Sequence, residues 1–185
     1  ATEATDAPKE KAPPSRPNYE LMQQFEHPDF VTTVAFSGMH TNTIVTGCQD
    51  GNVRIFKETE ETDKWAQYKT VETCHKTGIN YISWPRGVEY FGTCGDTKAA
   101  VWDKEGNKIC ETTPHPKMVM SIAFCTALEV FYTSCFDGKV REWSSSGELR
   151  HTFEDHKHAA IFCSCNHKGD QLATSGFDGK CFIYD

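Results

Sequence analysis

The sequence predicts an all-β fold, a β-propeller with four blades' worth of repeats, and three observations support this prediction. Four times, a His is followed 21 to 23 residues later by an Asp, and an aromatic residue stands six positions after that Asp. Aligned on the aromatic residue, the repeats are 46, 41 and 41 residues apart, which is typical of four-stranded propeller blades. Strand-like apolar patterns and tight turns fill each repeat.

The repeats occupy nearly all of the chain. The four sets are His27, Asp50 and Phe56; His75, Asp96 and Trp102; His115, Asp137 and Trp143; and His156, Asp178 and Tyr184. We expect repeats at about 19–57, 73–103, 113–144 and 153–185, joined by outer strands at roughly 64–73, 107–113 and 149–153. The acidic stretch 57–63 is an inserted surface loop, which explains the longer first period.

The first strand of each repeat follows its His. Apolar residues recur four, seven and nine positions after the His, and the last two share one strand face because side chains alternate with period two. The positions are Val31, Val34 and Phe36; Ile79, Ile82 and Trp84; Val119, Ile122 and Phe124; and Ala160, Cys163 and Cys165. We expect this face to pack on the neighbouring blade.

A tight turn separates the second and third strands of each repeat. Asp-Gly stands there at 50–51, 137–138 and 178–179, and Gly tolerates the positive φ of such turns. Asp96-Thr97 lacks the Gly. Glu142 is a polar residue in a third strand whose counterparts are apolar.

Composition restricts the classes of function. The 185 residues carry a net charge of -7 with 38% hydrophobic residues, and the Lys and Arg are scattered. We therefore expect a soluble globular protein that binds neither nucleic acid nor membranes and is not secreted. Nine cysteines, an odd number, fit reduced thiols and a cytoplasmic location, with nuclear or ciliary assemblies left open.

The start of the sequence has a different composition. Residues 1–18 hold four of the eight prolines, and Ala is their only hydrophobic residue type, so we expect a disordered tail, either a solvated leader or a docking arm. Residues 19–25 are predicted to form one more strand, which would complete the last blade and protect its edge.

The residues from about 25 to 185 resemble the WD40 repeat family. In that family a His, a Ser or Thr on the second strand, the turn Asp and a Trp form a buried hydrogen-bonded tetrad. Blade 3 matches all four members; Thr93 of blade 2 stands one place from the usual position, and Phe56 and Tyr184 replace Trp. The resemblance implies the following structural residues: His27, Thr46, Asp50, His75, Thr93, Asp96, Trp102, His115, Thr133, Asp137, Trp143, His156, Thr174, Asp178 and Tyr184.

Two chemical interpretations of the histidines are less favoured. His, Asp and hydroxyl groups in register suggest a catalytic triad, but their repetition in each blade is typical of a structural network. Cys163 and Cys165 near His156, His158 and His167 suggest a zinc site, but both Cys stand at apolar strand positions and behave there as small hydrophobes. We expect no catalytic residue, no metal and no cofactor.

The resemblance implies a partner-binding face where the turns surround the central channel. Its exposed positions lie three and five residues after each His and directly before each Asp, and they are unusually apolar here. We hypothesise that a protein or peptide partner binds Phe30, Met118, Met120, Phe136, Ile161 and Phe177. The alternative is that several of these side chains turn inward and pack.

Four repeats make a small ring. A portion of a larger ring of about seven blades is favoured, and a self-closed four-blade ring or two paired copies are the alternatives. The predicted function is a non-enzymatic scaffold that binds partner proteins. The alternatives are a structural subunit of a large assembly and, less favoured, a propeller-type hydrolase, for which Glu142 is the lone candidate residue.

Overall fold

The computed structural model describes residues 20–38, 42–61, 64–72, 74–166 and 168–185. They form fifteen strands in four antiparallel sheets, here called blades 1 to 4, and they contain no helix. The all-β prediction is therefore confirmed. Over the same ranges, no helix is long and apolar enough to cross a membrane. The predicted tail at 1–18 lies outside the described residues.

Each blade is built from strands that are consecutive in the chain and pair in chain order. Blade 1 contains β1 (Val31–Phe36), β2 (Thr43–Cys48), β3 (Val53–Glu58) and β4 (Trp65–Val71). Blade 2 contains β5 (Ile79–Ser83), β6 (Tyr90–Gly95), β7 (Ala99–Asp103) and β8 (Lys108–Glu111). Blade 3 contains β9 (Val119–Cys125), β10 (Val130–Cys135), β11 (Val140–Ser144) and β12 (Leu149–Phe153). In blade 4 the described residues form β13 (Ala160–Cys165), β14 (Leu172–Gly176) and β15 (Cys181–Tyr184).

The turn between the second and third strands differs in length among the blades. In blade 3 the amide of Cys135 donates to the carbonyl of Lys139, which closes a three-residue loop with Gly138 at a φ of 87°. In blade 2 the amide of Gly95 donates to the carbonyl of Lys98, so that loop has only two residues. Neither Asp96 nor Thr97 of this loop has a positive φ, so a residue other than Gly is accommodated at position 97.

The blades pack face to face through the residues seven and nine positions after each His. Ile82, Ile122 and Cys163 are buried in this way, as expected. The expectation is wrong for blade 1, where Val34 is 60% and Phe36 67% exposed, because no described blade covers that face. The described residues therefore do not form a sealed four-blade ring.

The segment before blade 1 is not the strand that the sequence predicts for 19–25. Tyr19 lies outside the described residues, and residues 20–30 form no strand. A strand needs a partner backbone, whereas this segment contacts blade 1 through side chains. The side-chain amide of Gln23 donates from Nε2 to the carbonyl of Trp65 at 2.7 Å and accepts at Oε1 from the amide of Trp65 at 2.9 Å. The ring centroids of Phe25 and Phe56 lie 4.3 Å apart.

Candidate protein-binding surface

Blade 2 carries a continuous hydrogen-bonded tetrad. The indole Nε1 of Trp102 donates to Thr93 Oγ1 at 2.9 Å, and Thr93 Oγ1 lies 3.0 Å from His75 Nε2. On the other side of the ring, His75 Nδ1 lies 3.2 Å from Asp96. The arrangement satisfies the buried hydroxyl and both ring nitrogens, so it anchors the turn to the strands.

The sequence assignment of Thr93 as displaced by one position is wrong. Counted from the His, the hydroxyl residue stands 18 positions on in blades 2, 3 and 4, at Thr93, Thr133 and Thr174. Blade 2 has one residue fewer than blades 3 and 4 between this Thr and the turn Asp. Thr93 therefore stands three residues before Asp96, whereas Thr133 stands four residues before Asp137. As a result, blade 2 has no counterpart of Phe136.

Blade 3, expected to hold the intact tetrad, has lost one member. His115 Nε2 contacts Thr133 at 2.9 Å and Trp143 Nε1 donates to Thr133 at 2.8 Å, but His115 Nδ1 donates to the carbonyl of Thr97. Asp137 instead binds Arg141 at 2.6 Å. The side chain of Arg141 competes successfully because it offers a charged fork of donors.

In blade 1, as in blade 3, the turn Asp binds an Arg and not the His of its tetrad. Asp50 binds Arg54 at 2.6 Å, and the hydrogen bond of His27 is to Thr46, at 2.8 Å, which leaves its buried Nδ1 without a hydrogen-bond partner among the described residues. The ion pair with Arg54 holds the pKa of Asp50 well below its usual range. The sequence signal was an Arg four residues after the Asp.

Blade 4 keeps the contacts of His, Asp and Thr that blade 2 has. His156 contacts Asp178 at 3.0 Å and Thr174 at 3.0 Å. Tyr184 donates from its hydroxyl to Asp155 at 3.0 Å. The fourth residue after the Asp is Phe182 here and Ala100 in blade 2, so no Arg competes for the carboxylate.

The turns of blades 3 and 4 present two exposed aromatic rings. The ring centroids of Phe136 and Phe177 lie 6.0 Å apart, edge to face. Phe177 is 67% exposed, and Met118, whose carbonyl accepts from the amide of Phe136, is exposed as well. An exposed aromatic pair with Met is the composition that protein interfaces favour.

The other three residues of the predicted face are placed differently. Phe30 is exposed on blade 1, whereas Met120 and Ile161 are half-buried. The equivalent position in blade 1 is Thr32, whose hydroxyl donates to the next blade's Ile79 carbonyl. Met120 and Ile161 thus stand where the blades join, so packing accounts for part of their role.

Basic side chains surround the aromatic pair, which the sequence reasoning missed. A groove of about 410 Å³ between the two turns is lined by Phe136 and Phe177 together with Lys117, Lys157 and His158. Asp137 also lines it, but Arg141 neutralises that carboxylate. The groove therefore combines an apolar wall with an excess of positive charge, although the chain as a whole is acidic.

The model of the family described as "WD domain, G-beta repeat" matches residues 19–57, 106–144 and 147–185. These ranges make up more than half of the chain. The chain belongs to the WD40 family.

WD40 relatives resemble the chain over part of their length. A probable coatomer subunit beta' of Schizosaccharomyces pombe is 27% identical over 90% of this chain and 21% of its own length. A SEC13 homolog of Dictyostelium discoideum is 31% identical over 54% of this chain and 35% of its own length. The chain thus spans between a fifth and about a third of these relatives.

A solved structure shares the fold of this WD40 chain. The computationally designed Ika4 protein superposes with a TM-score of 0.74 at 17% identity and covers 90% of this chain and 98% of its own. At that identity, the likeness concerns the fold alone.

The buried histidines of the WD40 tetrads are poorly suited to chemistry. Burial lowers the pKa of His115 to about 4 and also lowers the pKa of His75. Both ring nitrogens of each are occupied: those of His75 by residues of blade 2, and those of His115 by Thr133 of blade 3 and by the Thr97 carbonyl in the turn of blade 2. A general base needs a ring nitrogen that can reach a substrate.

The cysteines of β13 behave as core residues. Cys163 contacts Ser121 at 3.3 Å, and burial raises the pKa of its thiol to about 12, so it stays protonated at neutral pH. No group of three or more potential metal ligands occurs among the described residues. His167, named with these cysteines as a candidate zinc ligand, lies outside the described residues.

Proposed function

We propose that this WD40 chain is a non-enzymatic scaffold that binds a partner protein at the turns of blades 3 and 4. The exposed pair Phe136 and Phe177 is the observation that carries this proposal. A partner that covers these two rings removes their apolar surface from water, which is favourable by about 25 cal/mol for each Å² buried. Met118 extends the same surface, and Phe30 is a further exposed residue of the predicted face.

The charge around this surface favours an acidic partner segment. Lys117, Lys157 and His158 line the groove beside the aromatic pair. An apolar side chain of the partner would pack on Phe136 and Phe177, and a neighbouring Asp or Glu would meet the lysines. Such complementarity raises the association rate and excludes basic competitors.

The relatives support a role within a protein assembly. One is named as a coatomer subunit, and a human relative, 27% identical over 65% of this chain, is named as a DDB1- and CUL4-associated factor. A structural subunit of a larger assembly is therefore the second proposal, distinguished by obligate co-purification with its neighbours. We also propose a cytoplasmic location, which fits nine free thiols.

Paired substitutions test the proposal. In the Phe136→Ser, Phe177→Ser variant, we expect proteins captured from a cell extract to fall at least fivefold, measured by quantitative mass spectrometry, while the melting temperature changes by no more than about 2 °C. Leu149→Ser, which alters an exposed apolar residue of β12, is the matched control and keeps full capture.

Two results would contradict the proposal. Retained capture by the double variant would show that the partner binds elsewhere. A collapse of the melting temperature would show that the two rings pack for stability, which is the alternative raised by the sequence.

A further inference from the structure

The interface between blades 3 and 4 contains a cavity lined by residues of both blades. Its volume is about 390 Å³, and its wall includes Cys165. Both Cys165 and Trp84 stand nine residues after a His, Cys165 at the end of β13 and Trp84 directly after β5. In blade 2 the indole of Trp84 is buried and fills this position, whereas a thiol leaves it open.

A carboxylate lies in the wall of this cavity. Glu142 pairs with Tyr132 across the sheet, at the position that Ile55 occupies in blade 1 and Val101 in blade 2. The hydroxyl of Tyr132 donates to Glu142 Oε2 at 3.1 Å. Oε1 accepts no hydrogen bond from the described residues. Within the described residues, Glu142 therefore has one hydrogen-bonded and one unpaired carboxylate oxygen, beside the apolar side chains of Phe153 and Leu172 that also line the cavity.

The remaining charged groups at the cavity leave Glu142 without a cation. Lys168 lines the mouth but forms no ion pair with any described carboxylate. Asp170 is bonded to the amide of Asn166 at 2.5 Å, and Asp185 to the amide of Gln171 at 2.9 Å. The mouth is thus net acidic, and its two Asp are already held by neutral amides.

We propose that this cavity binds a Lys or Arg side chain of a protein partner. The aliphatic stem would pack against Phe153, Leu172 and Tyr184, and the cationic end would reach Oε1 of Glu142. A wholly apolar occupant would remove water from that oxygen without replacing its hydrogen bond, and an anion would be repelled. A cation with an apolar stem satisfies both parts of the wall.

The test uses n-butylguanidinium as the probe and 1-butanol as its uncharged counterpart. We expect saturable shifts of the Leu172 and Leu128 methyl signals in a carbon-13 NMR titration of the whole chain with n-butylguanidinium. Glu142→Gln is expected to weaken binding at least tenfold. Cys165→Trp, which fills the cavity as Trp84 does in blade 2, is expected to abolish it.

Glu129→Gln is the matched control, because Glu129 lines a separate cavity of about 290 Å³ between blades 2 and 3. It is expected to leave the titration unchanged. The proposal is overturned if Glu142→Gln binds the probe as well as the parent chain, if 1-butanol binds equally tightly, or if no saturable shift occurs. Glu142→Gln alone decides the outcome should Cys165→Trp fail to fold, which thermal unfolding will show.

Discussion

Equivalent positions hold different side chains at two interfaces, the one between blades 1 and 2 and the one between blades 3 and 4. Between blades 1 and 2, Val45 and Ile55 meet Trp84, and the apolar residues fill the space. Between blades 3 and 4, the same three positions hold Tyr132, Glu142 and Cys165, and a cavity remains. The repeat fixes where the positions lie, whereas their side chains decide whether the space between two blades is filled or a cavity remains.

The comparison extends to the turns above these interfaces. The turn of blade 2 is one residue shorter and has no counterpart of Phe136, so its loop consists of Asp96 and Thr97 alone. Blades 3 and 4 each carry an aromatic residue before the Asp, and both rings are exposed. Blades 1 and 2 therefore contribute packing, and blades 3 and 4 add the surfaces proposed for binding.

The largest expected effect comes from emptying the closed interface. Trp84→Ala removes a buried indole and should lower the free energy of unfolding by about 3–5 kcal/mol. Cys165→Ala, the matched change in the open interface, removes one atom beside an existing cavity and should cost about 1 kcal/mol or less. Urea unfolding measures both; equal losses would contradict the comparison.

A smaller difference should separate the aromatic residues that end the third strands. Trp102→Phe removes the buried donor to Thr93 and part of the ring, for an expected loss of about 2 kcal/mol. Tyr184→Phe removes the hydroxyl that donates to the exposed Asp155 and keeps the ring, for about 0.5–1 kcal/mol. Urea unfolding measures both variants. A larger loss of unfolding free energy for Tyr184→Phe than for Trp102→Phe would contradict this expectation.

The difference in unfolding free energy between the Trp84→Ala and Cys165→Ala variants should not change with pH. The pKa of His115 is lowered to about 4 by burial, so the unfolded chain binds more protons than the folded one between about pH 6.5 and 4. Stability should therefore fall as the pH is lowered through this window, by at most about 1.4 kcal/mol per pH unit for this group.

Because this loss does not depend on the packing of Trp84 or Cys165, the difference between Trp84→Ala and Cys165→Ala should be the same at pH 7 and pH 5.5. Unfolding of both variants at the two pH values measures it. If this difference in unfolding free energy changes by more than about 1 kcal/mol between the two pH values, it arises from protonation and not from packing. His115→Gln is the control and should flatten the pH dependence of the parent chain.

Much of the fold could be predicted from the sequence because strand periodicity and turn residues are local signals. The spacing of His27, Asp50 and their counterparts located the blades, and the Asp-Gly turns occur at positive φ as expected. The exposed face of Val34 and Phe36 could not be predicted, because burial depends on which blade lies beside it and not on the strand's own pattern.

The site was harder to predict because it depends on competition between side chains. The exposed pair of Phe136 and Phe177 followed from the register of the repeat. The loss of Asp137 from its tetrad did not, because Arg141 and His115 compete for the same carboxylate and the repeat pattern alone does not show which donor binds it. The basic residues Lys117 and Lys157 were likewise grouped with the rings only by the fold.

Amide hydrogen exchange tests the central comparison most directly. The amide of Ile82 donates to Thr33 Oγ1 of the preceding blade at 3.2 Å, and the amide of Cys163 donates to Ser121 Oγ at 3.0 Å, so the two amides report on equivalent contacts. We predict that the amide of Ile82 exchanges at least tenfold more slowly than that of Cys163, because the buried Trp84 fills the space beside it. Equal exchange, or slower exchange at Cys163, would contradict the claim that one interface is closed and the other open.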